Sequence, residues 1–207
     1  MSKIKLGLVN INNSFSNQDY FPYSVGILQA YAQEHASNID EFEFITPIYK
    51  RTGIEKALEK LSGAGIVFFS VYVWNFRLSL EIARKLKQAN QDIIIVFGGP
   101  HVPWSGTEKF MRANVFIDLA CRGEGERAIV SILENYDKKD WGKVPSASFI
   151  DNNGSYNQTQ LFERISDLEQ IPSPYLEGVF GELIRSNQDT RWVALWETNR
   201  GCPFTCT

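Results

Sequence analysis

Residues 65–101 read GIVFFSVYVWNFRLSLEIARKLKQANQDIIIVFGGPH and set two apolar segments on either side of a helical one. Gly65–Val73 is rich in Val, Phe and Ile, the residue types that fit a pleated, packed surface. Phe76–Gln88 repeats Leu78, Ile82 and Leu86 every four residues, so the three share one face of a helix. Asp92–Phe97 is almost continuously apolar, as a strand covered on both faces must be. Strand, helix and strand in that order make a crossover unit, which joins parallel neighbours in an α/β sheet.

The same alternation continues in both directions. Towards the N-terminus, Lys3–Val9 reads as a first strand, and Pro22 opens a helix whose Tyr23, Ile27, Leu28 and Tyr31 share a face. Glu41–Tyr49 reads as a half-buried or edge strand in which Pro47 limits pairing, and Ile54–Leu61 as a short helix. Towards the C-terminus come a helix over Thr107–Arg112, a strand over Val115–Cys121, and a helix from about Glu124 that buries Ala128, Ile129, Ile132, Leu133 and Tyr136. Five strands alternating with helices predict an α/β fold: a parallel five-stranded sheet with helices on both faces.

After residue 137 the composition changes. DKKDWGKVP is a polar linker, and Ala147–Ile150, the turn Asn152-Asn153-Gly154 and Ser155–Leu161 read as a β-hairpin. IPSPYLEG (171–178) lacks periodicity and reads as an ordered connector. RWVALWET (191–198) is a further strand, followed by the loop NRGCPFTCT (199–207).

Bulk properties narrow the function. Hydrophobic residues are 43% and charged residues 22% of the chain, an ordinary balance for a globular protein. The net charge of −3 gives no basic footprint for nucleic acid or an anionic membrane. No apolar run is long enough to span a bilayer, and MSKIKLGLVN lacks the pattern of a signal peptide, so a cytoplasmic location is expected. The three cysteines are too few for a disulfide framework, and Cys121 in its strand reads as a small buried apolar residue.

Ligands of open parallel sheets bind beyond the carboxyl ends of the strands. The exits here are Asn10–Phe15, Ser70–Asn75, Gly98–His101 and Arg122–Glu126, all rich in Gly, Ser, Asn or aromatic residues. Gly98-Gly99 is either a plain strand-to-helix turn or a place where the main chain touches a ligand. Tyr72 and Trp74 either pack under the next helix or wall a planar ligand. The acidic residues of Arg122-Gly123-Glu124-Gly125-Glu126 suit the first turn of a helix, while its glycines suit a backbone cradle. GxGxxG after the first strand and GxxxxGK[ST] are both absent, so neither a dinucleotide fingerprint nor a P-loop is supported. His35 reads as a surface residue and His101 as a possible ligand contact; neither belongs to a zinc-type cluster.

SVYVWN, GGPH, RGEGE and IPSPYLEG, in this order around one sheet, resemble the N-terminal region of cobalamin-dependent radical S-adenosylmethionine (SAM) enzymes. The terminal NRGCPFTCT resembles the start of their CxxxCxxC motif; Cys202 and Cys206 match its first two cysteines, and the third would fall two residues past Thr207. The resemblance implies a flavodoxin-like domain that holds cobalamin with its nucleotide tail extended. Carried over by position, it implies cofactor contacts from Asn12, Ser14, Ser70, Tyr72, Val73, Trp74, Gly98, Gly99, His101, Gly123 and Glu124. The Asp-x-His-x-x-Gly motif that supplies a lower cobalt ligand in many cobalamin proteins is missing, because Gln33 and Gly99 stand where the Asp would precede His35 and His101. The expectation is base-off cobalamin with no histidine on cobalt, its lower face covered by Tyr72, Val73 or Trp74.

The implied layout is a cobalamin-binding domain over 1–140, a connector with the hairpin over 141–190, and the first strand and partial cysteine loop of a radical SAM barrel over 191–207. The implied parent is a methyltransferase acting on an unactivated carbon, with a [4Fe–4S] cluster and S-adenosylmethionine in its C-terminal radical SAM domain. The chain by itself is expected to bind cobalamin without catalysing a reaction. Two other classes remain open on sequence grounds: a flavin- or nucleotide-binding electron-transfer domain, and a non-catalytic cobalamin sensor or carrier.

Overall fold

The computed structural model describes residues 2–16 and 18–200. Strands β1 (Ile4–Asn12) and β2 (Gln18–Tyr20) precede helix α1 (Tyr23–His35), which is followed by β3 (Phe42–Phe44), β4 (Ile48–Lys50) and α2 (Ile54–Lys60). The stretch that sets the fold becomes β5 (Ala64–Ser70), α3 (Phe76–Ala89) and β6 (Ile94–Gly98). Then come α4 (Thr107–Ala113), β7 (Leu119–Cys121), α5 (Glu126–Glu134), the hairpin β8 (Ala147–Ile150) and β9 (Tyr156–Gln158), α6 (Gly181–Ser186) and β10 (Arg191–Val193).

β3 and β4 lie end to end along the same side of β1, and on its other side run β5, β6 and β7, all parallel. Counting β3 and β4 as one position gives the flavodoxin-like order 2-1-3-4-5, with its switch point between β1 and β5. The parallel sheet and flavodoxin-like class read from the sequence are what the structure contains. The hairpin continues this sheet: β8 pairs antiparallel with β7 through Ala120↔Ser148 and Cys121↔Ala147. A separate two-stranded parallel sheet joins β10 to β2 through Trp192↔Asp19.

Helices α1 and α5 cover one face of the sheet, where Val25, Ala128, Ile129 and Ile132 pack on Leu8, Phe68, Val96 and Leu119. Helices α2, α3 and α4 cover the other, where Leu61, Ile82, Leu86 and Met111 meet Val9, Val67, Phe69, Ile95 and Phe97. The period-two alternation of β5 and β6 sends Phe68 and Val96 one way and Phe69 and Phe97 the other. A smaller cluster of Phe21, Tyr49, Phe180 and Leu183 seats the chain around α6. Trp192 joins it by stacking on Phe21, ring centroids 4.5 Å apart.

Three strands are shorter than their apolar runs. β5 stops at Ser70 because the buried Asn75 side chain takes over the backbone, donating to Ser70 O and accepting from Tyr72 N–H. β7 begins only at Leu119, because the Asp118 carboxylate accepts from Ile95 N–H and binds Lys87 Nζ. The run 41–49 is split around Pro47, which has no N–H for the ladder. No helix among the described residues is long and apolar enough to cross a membrane.

Candidate functional site

At the carboxyl ends of β5, β6 and β7, between α1 and α5, lies a cavity of about 970 Å³. That is the upper end of the range for small-molecule and cofactor sites. Its floor is apolar, made by Phe68, Val96, Cys121, Ile129 and Ile132. Burial there pushes the Cys121 thiol up to about 12, so at neutral pH it is an uncharged wall group and not a nucleophile. A few polar groups interrupt the apolar lining. Ser24 Oγ, in the first turn of α1, lies 3.1 Å from Ser70 Oγ at the end of β5. Ser146, held at φ 63° and buried, accepts from Phe162 N–H at 2.8 Å and fixes the chain that walls the hairpin side.

The two glycines after β6 differ in what they do. A Cβ on Gly99, at φ 101°, would stand 2.8 Å from Val71 O and 3.0 Å from Val71 N, so this residue is glycine because the fold packs main chain on main chain. A Cβ on Gly98 would meet nothing within 4 Å. Gly98 follows Val96 by two residues, pairs with Ser70, and shares their cavity-facing side. Gly123, at φ 76°, likewise faces open space where the chain turns into α5. Gly98 and Gly123 therefore keep the wall bare at two points.

Tyr72 stands at the rim with Trp74 stacked on it, centroids 4.6 Å apart and planes 13° from parallel. The loop that carries them is braced from below: Trp74 Nε1 and Asn75 Nδ2 both donate to Ile11 O, and Arg51 Nη2 donates to Trp74 O at 2.7 Å. Val73 is 73% exposed and Trp104 61% exposed, an unusual apolar display for a sheet edge.

Six of the residues expected from the sequence converge on the cavity: Ser70, Tyr72, Gly98, Gly99, Gly123 and Glu124. Glu124 also has a structural partner, since its Oε2 accepts from Ile165 N–H at 2.9 Å. Val73 and Trp74 sit on the rim outside the lining. Asn12 ends β1 with a buried, unpartnered Nδ2, and Ser14 Oγ donates to Asp19; neither lines the cavity. The His101 ring lies edge-on to Phe76, 4.5 Å away, and His35 Nε2 is 3.2 Å from Gln170 O, so neither histidine lines the cavity. Cys202 and Cys206 lie outside the described residues, and among those described no group of three His, Cys, Asp or Glu side chains could hold a metal. Sequence reading missed Tyr23, Ser24, Trp104, Ser146 and the segment Leu195–Arg200, all of which line the cavity. Ser24 and Tyr23 had a usable signal, because α1 follows the strand next to the switch point. Ser146 and Leu195–Arg200 had none, because long-range folding brings them there.

Residues 9–133 match the family model of the B12 binding domain. The chain belongs to that family. It is 32% identical over 191 residues to 2-(S-pantetheinyl)-carbapenam-3-carboxylate methyltransferase of Streptantibioticus cattleyicolor, covering 90% of this chain and 28% of that one. It is 30% identical over 192 residues to the cobalamin-dependent radical SAM methyltransferase TokK of Streptomyces tokunonensis, covering 91% of this chain and 28% of TokK. The fold superposes on the cobalamin-dependent S-adenosylmethionine radical enzyme OxsB with a TM-score of 0.75 at 23% identity, over 98% of this chain and 27% of OxsB. The chain thus spans a little over a quarter of the length of these relatives. In this B12-binding domain the cavity at the strand ends is apolar-floored, carries the Ser24 and Ser70 hydroxyls in its wall, and has bare main chain at Gly98 and Gly123.

Proposed function

We propose that the cavity between α1 and α5 takes the nucleotide tail of cobalamin in its extended, base-off form, leaving the corrin ring at the rim. The observation that carries this reading is the bare, apolar-floored slot at the strand ends, entered past Gly98 and Gly123, where an added Cβ would meet open space. Ser24 and Ser70 offer hydroxyls to the polar part of the tail. Trp104 and the Tyr72–Trp74 stack offer flat apolar surface to the ring, and Tyr72, Val73 or Trp74 covers the lower face of cobalt where no histidine is at hand. Asn12, Ser14 and His101 belong to this reading only as outer contacts.

In the same reading the chain is the N-terminal module of a cobalamin-dependent radical SAM enzyme, a methyltransferase acting on an unactivated carbon. Residues 1–140 supply most of the cofactor site, to which Ser146 and Leu195–Arg200 add wall, 141–190 connect, and 191–207 begin the radical SAM barrel, with Cys202 and Cys206 as ligands of a [4Fe–4S] cluster beside S-adenosylmethionine. Bound cobalamin would supply the carbon–cobalt bond that carries the methyl group; the residues described here bind it, orient it and keep water from the tail. The chain alone is a cytoplasmic binding module without turnover.

The test compares hydroxocobalamin with cobinamide, which keeps the corrin and lacks the nucleotide tail. Calorimetric titration should give cobalamin at least 100-fold tighter binding. Equal affinities would remove the tail from the cavity, and binding of flavin mononucleotide in place of either corrinoid would replace the reading altogether.

A further inference from the structure

The RGEGE and IPSPYLEG stretches and the segment Leu195–Arg200, far apart in sequence, meet at one edge of the cavity. Glu126, the second glutamate of RGEGE, opens α5 and is buried. A first-turn carboxylate is favoured by the helix dipole, but that effect works equally well at an exposed position. A buried carboxylate needs a counter-charge, and here Arg200 Nη2 lies 2.5 Å from Glu126 Oε1, the two side chains 15% and 6% exposed. Arg200 Nε also donates to Glu197 Oε2 at 3.0 Å. Five residues back, Tyr175 of the connector holds Leu195 twice: its hydroxyl donates to Leu195 O at 2.9 Å and accepts from Leu195 N–H at 3.0 Å. Tyr23, on the cavity wall, stacks on Tyr175 with centroids 5.9 Å apart. Leu195–Arg200 is thereby pinned at both ends across the outer wall of the cavity.

We propose that Glu126 and Tyr175 are positioning residues that clasp Leu195–Arg200 over the cavity, so that occupation of the cavity and the placement of Leu195–Arg200 are coupled. Release of the clasp therefore frees Leu195–Arg200 and opens the cavity together. By linkage, a ligand that fills the cavity steadies the strap as much as the strap retains the ligand. The coupling rests on the reading of the cavity as a cobalamin site; the clasp itself does not.

The experiment has two arms on the full chain. Hydrogen exchange without cofactor follows the amides of 195–200 in the unaltered protein and in Glu126→Gln, Tyr175→Phe and the charge-swapped pair Glu126→Arg with Arg200→Glu. Glu126→Gln and Tyr175→Phe should each speed exchange there at least tenfold while β5 and β6 amides keep their protection, and the swapped pair should recover part of it. Unchanged exchange in both single variants would overturn the clasp; Tyr175→Phe decides the matter if the buried-charge variants do not fold. The second arm measures release of hydroxocobalamin, expected at least tenfold faster in both single variants. Faster exchange with unaltered release would overturn the coupling. No cobalamin uptake by the unaltered chain would overturn the proposed function and the coupling, leaving the exchange arm to decide the clasp.

Discussion

Gly98 and Gly99 are adjacent, yet their replacement should fail in opposite ways. At Gly98 a side chain enters the cavity from the strand face shared with Val96 and Ser70, and meets no protein atom within 4 Å of its Cβ. Gly98→Val should leave stability unchanged or raise it by up to about 1 kcal/mol, since Val suits a strand better than Gly. It should nonetheless weaken hydroxocobalamin binding at least 100-fold, a loss of about 2.8 kcal/mol at about 1.4 kcal/mol per factor of ten. At Gly99 the left-handed backbone alone costs a substituted residue about 1–3 kcal/mol. The 2.8 Å approach to Val71 O forces a main-chain shift that adds about 1–3 kcal/mol of overpacking. A domain is stable by only about 5–15 kcal/mol, so Gly99→Ala should fall visibly in a urea titration. Denaturation and calorimetric titration on both variants separate the roles. The reasoning fails if Gly98→Val binds cobalamin like the unaltered chain, or if Gly99→Ala keeps full stability.

Two further predictions concern buried groups. Cys121 has its thiol pushed up to about 12 against an ordinary 9.0, so between those pH values the folded state keeps a proton that the unfolded state loses. Stability should fall as pH rises through that window, by at most about 1.4 kcal/mol per unit, and Cys121→Ala should abolish that component; identical pH profiles from 8 to 10 for the two proteins would contradict it. Asp118 joins Lys87 to the backbone N–H of Ile95 with both side chains largely buried, so Asp118→Ala should cost about 1–3 kcal/mol, between the ~0–1 of an exposed pair and the ~3–5 of a fully buried one. At 2–4 °C per kcal/mol for a chain of this size, a melting point lowered by less than about 2 °C would show that the pair contributes little.

The parallel sheet and its helices were legible because their signals are local. The Val-, Phe- and Ile-rich run of β5, the continuous apolar run of β6 and the four-residue repeat of α3 each declare themselves within a dozen residues. The strand ends were less legible, because side chains from elsewhere decide them: Asn75 ends β5 and Asp118 delays β7. The antiparallel hairpin was readable from its Asn-Asn-Gly turn, but its addition to the β7 edge was not, since sheet order depends on non-local packing. In the cavity, residues at strand exits were found by the rule that ligands sit beyond strand ends, which located Ser70, Gly98 and Gly123. The same rule drew in Asn12, Ser14 and His101, which stand at the correct edge of the sheet but outside the cavity lining. Gly99 was picked out with a cofactor role, yet Val71 main chain alone already requires a glycine there. Glu126, Tyr175 and Arg200 carry no local sign of one another.

In the proposed mode of binding the nucleotide tail leaves cobalt and enters the slot between α1 and α5. Electron paramagnetic resonance of the domain loaded with cobalamin and reduced to the cobalt(II) state tests it most directly, because an axial nitrogen splits each cobalt line into three. Lines without nitrogen splitting are expected in the unaltered protein, with that splitting appearing in Trp74→His. Nitrogen-split lines in the unaltered protein would contradict it.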